Sequence, residues 1–191
     1  MKKSIVMKNI FIASATALIF SACAGDKEKK ESKEVAEETN DKKFESNNAE
    51  KDAQFLVDAT SGSYNEVKIA EVAIAKSANA EVKKLAEQLK TDHSALITQL
   101  NGVAAAKNVT VATSPTEDAT EDAKKLTDTK DGNFDKEWLE KVEDLHEKSV
   151  KKYEDASNNA SDSTIKNWAA STLVKIKSHL DMINRMQDKM K

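Results

Sequence analysis

Apolar side chains recur at steps of three and four residues along four long stretches of this chain. Such a period puts them on one side of a helix, where they can pack against other helices. Only one Pro and four Gly occur in 191 residues, so few positions would break a helix. These features predict an all-α fold in which four amphipathic helices enclose one core.

The four predicted helices form two hairpins, with a long connection between helices 2 and 3. Helices 1 and 2 cover about residues 50–77 and 79–107. Helix 3 covers about residues 136–156, and helix 4 runs from Ser161 or Asp162 to the C-terminus. This layout predicts a ferritin-like four-helix bundle, although an up-down-up-down bundle with a decorated loop fits the sequence equally well.

Local signals indicate where these helices begin, bend and end. Gly62 weakens helix 1 and is a candidate position for a kink. Asn79 has the side chain of an N-cap and is predicted to begin helix 2. Within the connection, a short helix is predicted over residues 116–127 and is stopped by Gly132. Asp135 is then predicted to cap helix 3.

Each of the four apolar stripes contains one polar residue that could bind a metal ion. In chain order these residues are Glu66, His93, His146 and His179. Imidazole and carboxylate groups bind zinc, copper and iron, and the residue types do not choose among these metals. The sequence therefore predicts one transition-metal ion inside the bundle. The alternative is a metal-free interior in which these side chains hydrogen-bond one another.

Helical rise gives the expected height of each candidate ligand above the turn of its hairpin. Glu66 and His93 come out level, at about 18 and 21 Å. His146 and His179 come out at about 18 and 25 Å, an offset of more than one helical turn. Glu143 is expected nearer the height of His179 and is a weaker candidate ligand.

Glu143 and His146 also have the Glu-x-x-His spacing that di-iron bundles use. A di-iron site needs this motif twice, and the second copy is missing here, which counts against ferroxidase chemistry. Asp92 is another weaker candidate, either as support for the metal site or as an exposed carboxylate on the helix face.

Large side chains elsewhere in the stripes are interpreted as packing residues. Trp138 and Trp168 are predicted to anchor the core. Met182, Met186 and Met190 follow helical spacing and are predicted to fill the core or an interface, because methionine adapts to irregular spaces.

Several function classes find no support in the sequence. It contains no Gly-rich phosphate loop, no nucleophile elbow and no recognisable Ser, His and Asp set, so we do not expect an enzyme. Loss of residues 1–22 would remove three Lys and change the formal net charge from −3 to −6. An acidic product without a basic, aromatic patch does not suit nucleic acid.

The N-terminus has the features of a lipoprotein signal. Three lysines precede an apolar run over residues 10–20, which is short for a membrane span. The following Phe20-Ser21-Ala22-Cys23 resembles a lipoprotein signal-peptidase site. We expect removal of residues 1–22 and lipidation of Cys23, the only cysteine, which would leave no thiol for a disulfide or for catalysis. The expected partner is a membrane, and the expected location is the cell envelope, at the outer membrane and facing the periplasm.

Residues 23–49 are predicted to be a lipidated Cys followed by a flexible, charged linker, and residues 50–191 the four-helix domain. The linker has mixed charge and few large apolar residues, so it cannot bury enough surface to fold alone. A charged helix is the alternative for part of it.

Short motifs along residues 50–185 occur in a characteristic order and spacing. They are Asn65-Glu66 with Ala70, Val82-Lys83, Asp92-His93, Phe134-Asp135 with His146, Thr172-Leu173 and His179-Leu180. In these the chain resembles the ferritin-like bacterial family catalogued as domain of unknown function 4142, described as predicted outer-membrane proteins. Family members often have Leu-Pro after the helix 4 Thr, where this chain has Leu173-Val174. The resemblance implies a helical bundle outside the cytoplasm and no established activity.

Overall fold

The computed structural model describes residues 30–190, and this part of the chain folds into six α-helices without a β-strand. The predicted all-α fold is confirmed. The predicted signal and Cys23 lie outside the described residues. The helices are α1 Ser32–Asp41, α2 Asn47–Lys76, α3 Ala80–Ala106, α4 Glu117–Asp128, α5 Asp131–Asn159 and α6 Ser163–Lys189.

Side-chain caps begin several of the helices where the sequence predicted them. Asn79 caps α3 by accepting from the backbone N–H of Glu81 at 2.9 Å. Asp162, rather than Ser161, caps α6 by accepting from the N–H of Thr164 at 2.9 Å. Such caps satisfy N–H groups that have no partner within the helix.

The start of α5 differs from the prediction. Gly132 does not stop the preceding helix but lies in the first turn of α5, which begins at Asp131. Asp135 is not the cap and instead accepts a hydrogen bond of 2.6 Å from the Ser77 hydroxyl. An acidic residue in the first turn suits the positive end of the helix, so Asp131 favours the earlier start. Gly62 lies inside α2, which runs continuously for 30 residues.

Part of the segment predicted to be a flexible linker forms helix α1, so that prediction is wrong for residues 32–41 and the helical alternative is correct. Buried Asn40 holds α1 to the connection after α3. Its Nδ2 donates to the Thr110 carbonyl at 2.7 Å, and its Oδ1 accepts from the Thr110 N–H at 2.9 Å. Lys33 forms an ion pair of 2.9 Å with Asp58 on α2. The helix thus depends on contacts with distant parts of the chain.

The four long helices form two hairpins that pack against each other. α2 packs mainly on α3 and α5 mainly on α6, while α2–α5 and α3–α6 contacts join the hairpins. The start of α5 lies beside Ser77, at the turn between α2 and α3. The end of α3 lies beside the turn between α5 and α6, where Lys107 pairs with Asp162. The connection between α3 and α5 therefore returns along the bundle, and α3 and α5 run in the same direction.

The core consists of two apolar clusters separated along the helix axes. One contains Ile69, Leu89, Val142 and Ile183 and lies toward the turn between α2 and α3. The other contains Leu56, Leu96, Tyr153 and Ile176 and lies toward the turn between α5 and α6. In every long helix the candidate metal ligand falls between a residue of one cluster and a residue of the other.

The residues predicted to fill the core mostly do so. Trp138 is fully buried, and its indole N–H donates to the Ile69 carbonyl at 3.0 Å. Trp168, Met182 and Met186 pack against the two clusters while partly buried. Met190 is exposed, so the core interpretation is wrong for that residue. Between residues 30 and 190, no helix is long and apolar enough to cross a membrane.

Candidate metal centre

The structure brings Glu66, His93, His146 and His179 into one buried layer, as the apolar stripes predicted. Their exposed fractions are 2, 2, 0 and 1%. Each comes from a different long helix, because α2, α3, α5 and α6 each aim one polar side chain between the two apolar clusters. We call these four residues the Glu-His layer.

One nitrogen from each histidine faces the same point. His93 Nε2 lies 3.4 Å from His146 Nε2, which lies 3.4 Å from His179 Nδ1. The three ligand atoms are all within 4.8 Å of one another. A tetrahedral ion about 2.0–2.1 Å from each nitrogen would set neighbouring nitrogens about 3.3–3.4 Å apart. Two of the three separations therefore match a tetrahedral metal site.

Oxygen atoms engage the outer nitrogens of two of these rings. His146 Nδ1 lies 2.8 Å from the Val142 carbonyl oxygen. His179 Nε2 lies 3.0 Å from Asp92 Oδ2. Because carbonyl and carboxylate oxygens only accept, both outer nitrogens must carry a hydrogen and donate it. In the neutral rings, the inner nitrogens of His146 and His179 consequently present lone pairs to each other.

Two lone pairs facing each other at 3.4 Å repel unless a proton or a metal ion lies between them. Among the described residues, nothing holds a hydrogen on the outer nitrogen of His93, because its Nδ1 is buried and has no hydrogen-bond partner. A proton there leaves Nε2 free to act as a third acceptor. The layer is therefore arranged around a positive charge.

Glu66 supplies a negative charge to the same layer. Its Oε2 lies 3.0 Å from His146 Nδ1 and 3.5 Å from His93 Nε2. Neither carboxylate oxygen forms a hydrogen bond of good geometry within the part of the chain that is described. A buried carboxylate is costly unless it is paired with a positive charge. Here that charge can come from an imidazolium or from a bound cation.

The pKa values divide the histidines into two kinds. Burial lowers the pKa of His93 to about 4, and it lowers that of His179 against the opposing effect of Asp92. Burial also disfavours charge on His146, but Glu66 outweighs it and the pKa of His146 is raised. Burial by itself would raise the pKa of Glu66, yet the electrostatic interaction with His146, and a smaller one with His93, lower it. In the absence of a metal, His146 is thus the histidine that most readily takes up a second proton and becomes positively charged.

The predicted height offset between His146 and His179 is wrong. α5 ends at Asn159 and α6 begins at Ser163, which leaves His179 only three residues, or about 4.5 Å, further from the turn. Side chains also lean toward the N-terminus of their own helix. In this antiparallel pair the two rings lean toward each other and close the remaining offset.

Glu143 does not join the layer, contrary to its selection as a weaker candidate. Its Oε2 accepts a hydrogen bond of 2.8 Å from the Gln187 amide, further along α6. Glu143 was selected because His179 was expected at a different height from His146. The two rings are in fact level, so that reason no longer applies.

Asp92 contacts one histidine of the layer, so it is not simply an exposed carboxylate on the helix face. It is partly exposed between α3 and α6, where it receives the His179 hydrogen bond and one of 2.8 Å from Lys175. Burial by itself would raise the pKa of Asp92, but these two donors lower it.

Two features near the layer were missed from the sequence. The Val142 carbonyl cannot be recognised from residue types, because every residue has one. Tyr153 is the second, because its hydroxyl is buried and has no hydrogen-bond partner among residues 30–190. Burial raises the pKa of Tyr153, and the charge of Glu66 raises it further. Its position two turns after His146, on the same side of α5, was the available signal.

Comparisons with known proteins give one match. The model of a family described as "Domain of unknown function (DUF4142)" matches residues 36–186. The match begins inside α1 and covers every helix that contributes to the Glu-His layer. No curated protein and no solved structure matches the chain significantly.

Proposed function

We propose that this chain, which belongs to the DUF4142 family as its motifs predicted, binds one transition-metal ion inside the helical bundle. The family description assigns no activity, so the support for this function comes from the chain's own residues. His93 Nε2, His146 Nε2 and His179 Nδ1 are the proposed ligands. Glu66 balances the charge, and its Oε2 lies 3.5 Å from His93 Nε2.

The observation that carries this proposal is the orientation of the histidine nitrogens. Two outer nitrogens donate to oxygen, and the inner nitrogens face one another at 3.4 Å. Metal-binding histidines commonly donate their other N–H to a carbonyl or carboxylate in this way, which fixes the tautomer that binds the metal.

The ligand types suit zinc, copper or iron. The nitrogen separations favour a tetrahedral ion such as Zn²⁺. Structural zinc sites are closed, whereas catalytic sites keep an open position. The deep burial of the histidines therefore supports an ion that is held rather than one that performs catalysis.

The proposal extends to location and layout. The lipoprotein-like sequence that ends at Cys23 supports anchoring in the cell envelope by a lipid, with the domain facing the periplasm. The two hairpins and the long return between α3 and α5 support a ferritin-like relationship, because such folds have one long crossover.

Metal retention tests the function. The full chain, purified without a polyhistidine tag, is loaded separately with zinc, copper and iron, dialysed and analysed by mass spectrometry and thermal melting. We expect one of the metals to remain at near one ion per chain and to raise the melting temperature, because ligands that bind only the folded state stabilise it. His93→Ala and His146→Gln should each abolish most of this gain, whereas the exposed control Lys151→Ala should keep it.

The competing function is a metal-free bundle in which the layer is a hydrogen-bonded network around protonated His146. This alternative is favoured by the contact between His146 Nδ1 and Glu66, which needs no metal. It predicts that a folded chain retains none of the three metals. His93→Ala would then only destabilise the metal-free protein, by roughly 1–3 kcal/mol for the unpaired group left behind.

A further inference from the structure

The burial of the Glu-His layer raises the question of how an ion could enter it. All three histidines are at most 2% exposed, and apolar clusters lie on both sides along the bundle axis. An entering ion must therefore pass between helices.

A pocket of about 340 Å³ lies between α1, α2, α4 and α5 and reaches the layer from the side. Glu66 is the member of the layer that lines this pocket, together with Gly62 and Asn65 from the same helix. Glu66 Oε1 has no hydrogen-bond partner in the described chain, although the side chain is almost fully buried. Its other oxygen, Oε2, lies against His146 and His93. Glu66 thus connects the pocket and the histidines.

The charges around the pocket do not oppose a cation. Lys33 and Lys152 both pair with Asp58, at 2.9 Å each. Lys141 pairs with Asp122 in the same wall. Each of these three lysines therefore has a carboxylate partner, and Lys33 and Lys152 share one.

Two further charged residues line the pocket. Lys148 pairs with Asp144 at 2.7 Å, and Asp118 contributes an exposed carboxylate from α4. The exposed carboxylate of Asp118 and the buried carboxylate of Glu66 would together attract a divalent cation inward.

We propose that this pocket is the route by which a divalent transition-metal ion reaches the histidines, and that Glu66 transfers the ion from the pocket to their nitrogens. This inference rests on the proposed metal-binding function. The ion first meets Glu66, and the carboxylate then presents it to His93 Nε2, which lies 3.5 Å from Oε2. Glu66 is a positioning residue for entry, whether or not it remains a ligand afterwards.

Gly62 allows the route to be closed without disturbing the layer. It lies one helical turn before Glu66 and lines the same pocket. A Cβ atom at this position meets nothing within 4 Å, so there is open space where a side chain would begin. Gly102 in α3 is a matched control, because its Cβ would also meet nothing within 4 Å and it lies away from the pocket.

The test compares the kinetics of Co²⁺ binding and release in the full chain and its variants. Binding is followed by stopped-flow absorption, and release by transfer of the ion to a chelator. In Gly62→Leu we expect both rates to fall by about tenfold or more, because the ion must then wait for local opening of the bundle. The dissociation constant should stay the same, since a blocked route slows both directions equally. Gly62→Ala should have a smaller effect, and Gly102→Leu should match the parent chain.

Two results would overturn the entry route alone. One is that Gly62→Leu binds and releases Co²⁺ at the same rates as the parent chain. The other is faster release with weaker affinity in that variant, which would mean that residue 62 affects the site and not the path to it. If the parent chain and all variants fail to bind Co²⁺, zinc, copper or iron, the proposed function fails and the route fails with it.

Discussion

At the residue scale, Asp92 determines which nitrogen of His179 faces the other histidines. It holds His179 Nε2 as a donor, so Nδ1 points inward with its lone pair. Without this acceptor, the imidazole could place its hydrogen on Nδ1 and lose its ability to bind a metal there. Asp92 thus orients a proposed ligand from outside the layer.

We predict that Asp92→Ala weakens metal binding by about 10- to 100-fold, the usual cost of losing a hydrogen-bond partner of a metal ligand. Chelator competition measures this change. Lys175→Ala serves as the control, because it removes the other hydrogen bond to Asp92 and leaves its contact with His179. Equal affinities in Asp92→Ala and the parent chain would contradict the role given to Asp92.

The four members of the layer could be predicted because each interrupts an apolar stripe, and a stripe reports which side of a helix is buried. The contact of Asp92 with His179 could not be predicted in the same way. Asp92 is next to His93 and projects in a different direction from α3, so its partner depends on how α3 and α6 pack. The short distance between the His146 and His179 rings could not be predicted either, because it depends on how the side chains tilt along their helices. A count of residues from the turn does not include that tilt.

At the scale of helices, local sequence determines some boundaries and distant contacts determine others. Asn79 and Asp162 could be recognised as caps because they bond to N–H groups two residues away. α1 has only ten residues, and a helix of that length is marginal alone. It forms against α2 and the loop at Thr110, and no local pattern reveals those contacts.

Asp58 joins three helices, because it lies on α2 and forms ion pairs with Lys33 of α1 and Lys152 of α5. We predict that Asp58→Asn lowers the free energy of unfolding at pH 7 by about 1–2 kcal/mol. Urea unfolding measures the change. Asp144→Asn, which removes an exposed pair with Lys148, should have a much smaller effect.

The effect of Asp58→Asn should depend on pH. Burial by itself would raise the pKa of Asp58, but Lys33 and Lys152 outweigh burial and lower it. A lowered pKa in the folded state stabilises the fold above the unfolded value of about 3.9, and this stabilisation is lost as pH falls through the folded pKa. The difference between variant and parent should therefore shrink below about pH 4. A difference that persists at lower pH would argue against the ion pairs as its source.

At the scale of the whole molecule, α1 shortens the segment between Cys23 and the folded domain. Residues 24–31 separate that cysteine from the first helix. Eight residues span at most about 30 Å when fully extended. If Cys23 carries a lipid, the domain must lie close to the membrane surface.

We predict that Cys23→Ala abolishes labelling by a fatty-acid probe and moves the protein from the membrane fraction to the soluble fraction. The reason is that lipidation at Cys23 would be the attachment to the membrane. Ser21→Ala, close to the same site, should keep both properties. Labelling that persists in Cys23→Ala would rule out lipidation at this residue.

The Glu-His layer also has a consequence for how the helices align during folding. Apolar clusters on either side would accept a helix that slid along its neighbours by one turn, because one leucine can replace another there. The layer penalises that slip, since a displaced Glu66 or His146 would enter a cluster of leucines, isoleucines and aromatic rings without its partner. One polar residue on each long helix therefore selects a single alignment of all four, whether or not an ion is bound.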